Sequence, residues 1–176
     1  MLTRFEKVEA EAHRIRAYVI KQARSNLTRL GKNHTKKLYN SIDGEVVIQQ
    51  QNIDLIFKME LYGQFQDQGV DGVQVKHGSP FSYKSKMPPG SALDKWIIAK
   101  GIAPRDKSGK FLTRKQTQFM IARGIFLKGI KRSLFFTKPF EDAMAGAGKQ
   151  FVQALNKDVA IYMDEVIKES NKKRKK

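Results

Sequence analysis

Phe5-Glu6-Lys7-Val8-Glu9-Ala10-Glu11-Ala12-His13-Arg14-Ile15-Arg16-Ala17-Tyr18-Val19 decides the fold. With Leu2 before it and Ala23, Leu27 and Leu30 after it, the apolar residues recur at three- and four-residue steps, which places them on one stripe of a long helix. Arg4, Lys7, Arg14, Lys21 and Arg24, mixed with Glu6, Glu9 and Glu11, fill the other faces. Gly31 follows as the expected stop. A second such stripe lies at the far end of the chain, through Phe140, Met144, Ala147, Phe151, Leu155, Val159, Tyr162 and Val166. Pro139, Glu141 and Asp142 suit the first turn of that helix.

Between the two stripes the period changes. Ile53, Leu55, Phe57 and Met59 alternate with mostly polar residues, the period of a half-buried strand, and Glu45–Gln51 before them gives a hairpin partner. Asp43-Gly44 reads as a turn, Thr35–Tyr39 as a short helical piece and Val73-Gln74-Val75 as a possible third strand. Leu61 to Ile102 reads as a short aromatic helix, a long loop from Gly69 to Gly90, and a helix capped by Ser91 with Leu93, Trp96 and Ile97 on one face. Trp96 is expected as a core anchor. Pro104 to Lys110 is a basic, turn-rich loop, after which Thr113 caps a helix that carries Phe119, Ala122, Ile125 and Phe126 and ends near Gly129. The fold class expected is α+β, with long N- and C-terminal helices, a small antiparallel hairpin sheet and two shorter helices. One domain over residues 1–171 and a flexible basic tail over 172–176 are expected.

Composition narrows the chemistry. No cysteine is present, which excludes disulfides and thiolate ligands or nucleophiles. No apolar run has the length of a membrane span, and the N-terminal residues alternate instead of forming a signal-peptide core, so a protein made in the cytoplasm without a membrane partner is expected. The net charge is +17 and unevenly placed: Lys100–Lys138 holds 11 basic residues against one acidic, and Lys172–Lys176 are all basic. Such local excess attracts a polyanion or an acidic protein surface.

Motifs for catalysis are weak. Asp67, Asp71 and His77 are near one another in sequence and suggest a hydrolytic or metal site only at spacings that match no ligand or general-base pattern. The glycines form no phosphate-binding loop, because no Gly-Lys-Ser/Thr joins a strand to a helix. His13 and His34 stand away from other ligand types. No catalytic residue, cofactor or metal is expected, and the chain is not read as an enzyme.

Five segments together resemble a known family: Leu38-Tyr39-Asn40-Ser41-Ile42, Tyr62-Gly63-x-Phe65-x-Asp67-x-Gly69, Leu93-x-x-Trp96-Ile97-x-x-Lys100-Gly101-Ile102, Ile121-Ala122-Arg123-Gly124-Ile125 and Phe135-Phe136-Thr137-Lys138-Pro139-Phe140. Their order is similar to that in the small neck, or tail-completion, proteins of tailed bacteriophages. The resemblance implies a structural virion protein, assembled in the host bacterial cytoplasm. It would form a homo-oligomeric ring, twelve-fold by expectation, joining the portal or adaptor of the capsid to the tail proteins, with packaged DNA as a further contact.

Under that resemblance, assembly contacts are expected from Tyr62, Phe65, Asp67, Arg105, Lys107, Lys110, Arg114, Lys115, Phe135, Phe136 and Phe140. Contacts to DNA or an acidic surface are expected from Lys131, Arg132, Lys172, Lys173, Arg174, Lys175 and Lys176. The alternative is a basic nucleic-acid-binding protein acting through charge and through the aromatics beside Lys131 and Arg132.

Overall fold

The computed structural model describes residues 5–32, 34–49 and 52–174, with the side chain of residue 173 left out. The fold is α+β: long first and last helices, a two-stranded antiparallel sheet and shorter helices. Contacts group the chain into two compact units, one made of Met1–Glu60 with Phe135–Lys176 and the other of Leu61–Leu134. Among the described residues no helix is long and apolar enough to cross a membrane.

In the first unit, α1 (Glu6–Arg29) buries Ala12, Ile15, Val19, Ala23 and Leu27, the stripe its spacing requires. It packs antiparallel on α6 (Thr137–Arg174), with Arg14 bonded to Gln150 and Asn26 to the Phe135 carbonyl. α2 (Lys37–Ser41) is a single turn whose Leu38 is buried. β1 (Asp43–Ile48) pairs with β2 (Ile53–Lys58) from Asp43 opposite Lys58 to Ile48 opposite Ile53. Asp43-Gly44, expected as a turn, lies inside β1. Gly44 sits opposite Phe57 and under Arg16, where an added Cβ would come within 3.1 Å of each, so a small residue is needed for packing.

Two apolar clusters hold this unit. Ala23, Leu27, Leu38, Ile42 and Phe135 form one, and Ile15, Val19 and Ala147 the other, with Leu55, Phe57, Phe140 and Phe151 packed on it. Phe57 meets Phe136 and Phe140 edge-on at 5.3 and 6.0 Å, the preferred aromatic geometry. The last helix departs from its expected stripe: past Phe151 the side turned inward carries Ala154 and Asp158, while Leu155, Val159 and Val166 are exposed. At the basic end α6 continues through Arg174. Lysine and arginine are good helix formers, and cations favour a helix C-terminus. Lys175 and Lys176 lie outside the described residues.

The second unit contains α3 (Tyr62–Gln68), β3 (Val70–Asp71), a 3₁₀ turn (Gly90–Leu93), α4 (Asp94–Ala99), α5 (Arg114–Lys128) and β4 (Gly129–Ile130), with β3 and β4 antiparallel. Thr113 and Gln116 make the reciprocal capping box at the start of α5. Val73, Gln74 and Val75 form no third strand of the hairpin. Their N–H groups go to the carbonyls of Phe126 and Leu127, satisfying acceptors that the end of α5 would otherwise leave bare. Ser91 lies within the 3₁₀ turn rather than capping a helix, and α4 is too short to bury two sides. Ile97 takes the inner position, and Trp96, expected in the core, is 42% exposed.

Phe135 is fully buried among Leu27, Leu38 and Ile42. Phe135→Ala is therefore expected to destabilise the protein by about 3–5 kcal/mol, read as a lowered midpoint in urea, whereas Phe119→Ala, at an exposed site, moves it by less than about 0.5 kcal/mol.

Candidate functional site

Leu61–Leu134 contains fourteen Lys and Arg residues, four Asp and no Glu. What becomes of those four carboxylates determines the field of the unit. Asp67 is buried and accepts a 2.9 Å bond from Gln68 Nε2. Asp71 Oδ1 accepts the backbone N–H groups of His77 (2.6 Å) and Ser79 (3.2 Å). Asp94 receives Gln118 at 2.6 Å and pairs with Arg114 at 2.7 Å. Asp106 Oδ1 accepts from Ser108 N, Ser108 Oγ and Lys110 N within 3.0 Å. Each carboxylate is thus engaged within the unit, three of them in holding a loop or a helix end, while all fourteen cationic residues are exposed.

The cations fall into two groups fixed by different local structure. The first stands on a tight hairpin. Arg105 and Phe111 bridge its strands, Leu112 N donates to Pro104 O, and the Arg105 guanidinium lies 3.7 Å over the Phe111 ring while donating to Gly109 O at 2.7 Å. Lys107 and Lys110 sit at its tip, and Arg114 and Lys115 follow at the start of α5.

The second group surrounds the crossing of β3 and β4. Here the backbones of Gly72 and Gly129 touch: a Cβ on Gly72 would lie 2.3 Å from Leu127 O, and one on Gly129 2.2 Å from Val70 O. That contact brings the Val73–Gly78 loop against the end of α5. The His77 imidazole donates through Nε2 to Lys128 O at 2.8 Å, Lys76 Nζ to Gly72 O at 2.9 Å, and Arg132 Nη1 to Gly78 O at 3.3 Å. Lys76, His77, Lys128, Lys131 and Arg132 are thereby gathered by backbone geometry. Lys76, His77 and Lys128 go beyond the sequence-based selection of contact residues. Their signal was the glycine at position 72 and the one at 129, since close backbone approach needs a pair of them.

The residues singled out from the sequence are distributed as follows. Tyr62 and Phe65 are exposed on α3, with Phe65 edge-on to Phe81 at 4.7 Å. Asp67 is buried, and its backbone carbonyl accepts the N–H groups of Ser133 and Leu134, closing the end of α3. Phe135 contributes to the core of the first unit and offers no surface for an assembly contact; Phe136 and Phe140 are half-buried there. Lys172 and Arg174 are exposed on the last turns of α6. Asp67, Asp71 and His77 do not converge: Asp71 binds the loop backbone, His77 turns to Lys128 O, and no group of three metal-ligating side chains forms among the described residues.

Hydrogen bonds leave their mark on the carboxyls. The N–H of His77, then that of Ser79, hold the Asp71 carboxyl below the usual carboxylate range. The Ser108 hydroxyl, then the Lys110 N–H, do the same for Asp106. Both are stabilised as anions whose charge is spent on neighbouring donors. Burial pushes the Tyr83 hydroxyl up. Scanned against family models, curated proteins and solved structures, the chain matches none.

Asp71 is favoured as an anion in the fold, so its contribution is complete above the unfolded-state pKa and is lost as pH falls through the lower folded one. Asp71→Asn should lower the melting temperature at pH 7 and flatten its decline below about pH 4, measured by calorimetry across pH 2–7. At the crossing, Gly129→Ala combines the clash with a φ of +76° and should cost at least about 1–3 kcal/mol. Gly124→Ala, in open space within α5, should stabilise by about 0.5–1 kcal/mol. Equal effects of the two in denaturant melts would count against the crossing as the constraint.

Proposed function

We propose that this chain is a structural component of a tailed-bacteriophage virion, forming a ring in the neck that joins the portal or adaptor of the capsid to the tail. The reading is supported by the five segments that resemble the neck and tail-completion family. The observation that carries it further is the outer side of α6. Val152, Leu155, Val159 and Val166 are exposed, and Tyr162 is half-buried between them. Their steps alternate between three and four residues, the seam that one helix offers another in side-by-side packing. A chain that stays monomeric gains nothing from a 38-residue helix with this uncovered seam, whereas copies around a ring cover it. Tyr62 and Phe65 add exposed aromatic area on the other unit for heterologous neighbours.

In this reading the protein acts by occupying a position and needs no reacting group. Portal or adaptor proteins would lie on one side of the ring and tail proteins on the other.

Quantitative mass spectrometry of purified particles of the encoding phage is expected to find the chain in fixed ratio to the portal protein, retained through high-salt washing. Abundant chain in the lysate with none in particles would overturn the neck assignment. Val159→Glu with Val166→Glu is expected to leave the circular dichroism of the purified chain unchanged while abolishing its incorporation into particles.

A further inference from the structure

We propose that the Lys76–Gly78 loop and the Lys128–Arg132 segment together form a seat for the phosphate backbone of duplex DNA. The juxtaposition is built and not incidental. Lys76, His77, Lys128, Lys131 and Arg132 come from two segments about fifty residues apart in sequence, brought together by the Gly72–Gly129 backbone contact and by the bonds of Gln74 N and Val75 N to Leu127 O. A small apolar core does not hold them; a lattice of backbone hydrogen bonds does. Their positions are therefore fixed before any ligand arrives, which lowers the entropy cost of binding.

The donors are available in number. Lys76 uses one of its three ammonium donors at Gly72 O. Arg132 makes two bonds of 3.3 Å, to Gly78 O and Gln68 Oε1, which still leave guanidinium donors facing outward. Lys128 and Lys131 are exposed, and the two carboxylates nearest the loop in sequence are engaged, Asp71 by the N–H groups of His77 and Ser79 and Asp67 by the Gln68 side chain. The seat thus presents positive charge with its counter-charge withdrawn.

The chemistry selects the partner. A single small anion would need one enclosed pocket, but Lys76, Lys128, Lys131 and Arg132 are all exposed, and duplex DNA offers about one charge per 1.7 Å of axis to several of them at once. Single-strand binding is the weaker fit, because it relies on exposed rings for stacking, and the aromatics beside the seat, Tyr83 and Phe126, are half-buried against each other at 6.1 Å. With phosphate contacts alone, binding is independent of base sequence. The hairpin cations Lys107 and Lys110 add to the field of the same unit. The inference stands apart from the ring assignment: the seat is a property of the isolated chain, and particle composition does not test it.

The experiment uses the full chain and a fluorescent 30-base-pair duplex, with binding followed by anisotropy from 50 to 200 mM KCl. Three proteins are compared: the parent, Lys76→Gln/Lys128→Gln/Lys131→Gln, and Lys149→Gln/Lys157→Gln/Lys168→Gln, which removes equal charge from exposed positions of α6. The parent should show a steep salt dependence. The first variant should bind at least tenfold more weakly at 100 mM salt, with the slope of log K against log salt reduced by about 2–3, and the second should stay within twofold of the parent. Unchanged circular dichroism and melting temperature establish that each variant is folded. Equal loss in both variants would overturn the seat in favour of diffuse charge. Displacement of the duplex by polyglutamate at equal charge would overturn DNA in favour of an acidic protein, and tighter binding of a single strand of equal charge would overturn the duplex.

Discussion

The α1 helix starts without a cap of its own. Phe5 stands at its N-terminus and supplies no side-chain acceptor, and the exposed N–H groups of its first turn are met from the other end of the chain. Asp158 of α6 is 5% exposed, and its two carboxylate oxygens accept Lys7 N at 3.0 Å and Val8 N at 3.1 Å. The negative side chain also complements the positive end of the helix. Burying that carboxylate is costly unless these donors are present, so sliding α6 by a turn would strand a charge in the interior. The register of the two long helices follows, with Arg14 beside Gln150 and Asn26 beside Phe135 O. The hairpin then has one place to lie, with Leu55 and Phe57 over the Ile15, Val19 and Ala147 cluster.

The Leu61–Leu134 unit is built on another principle. Its buried apolar residues are few and small, chiefly Val70, Ile97 and Ala122. Order comes instead from carboxylates that gather loop N–H groups and from backbones close enough to exclude side chains at Gly72 and Gly129. Using every carboxylate for internal hydrogen bonds has an electrostatic result: the acidic residues stabilise the loops, and the exterior is left to the cations. Structure and field are thereby coupled in one unit.

Local signals made the long helices, the hairpin and the cap at Thr113 legible in sequence, whereas the reciprocal bond of Gln116 showed only in the structure. Where contacts came from afar the sequence was silent or misleading. Val73-Gln74-Val75 alternates like a strand, yet its donors are claimed by the end of α5. Trp96 is the heaviest apolar residue on α4, yet a six-residue helix offers one inward position and Ile97 occupies it. Asp158 left a trace, an acid at the helical spacing of Phe151 and Ala154, whose meaning depends on the partner helix. For the site, the charge excess was plain, while the grouping of Lys76 and His77 with Lys128 required knowing that two glycines meet.

The chain order carries a cost during synthesis. The second unit is inserted between the two parts of the first, and Lys7 and Asp158, which bond to each other, lie 151 residues apart. At about 5–20 residues per second of translation, roughly seven to thirty seconds separate the emergence of α1 from that of its partner. Throughout that interval the stripe has only Leu38, Ile42 and the hairpin's Leu55 and Phe57 to pack against, while the face that meets Phe135 and Ala147 stays uncovered. Leu61–Leu134 is complete earlier, so it can acquire structure while α1 waits. The dense charge around the stripe, from Glu6 to Arg24, leaves the waiting helix well solvated on its other faces until α6 arrives.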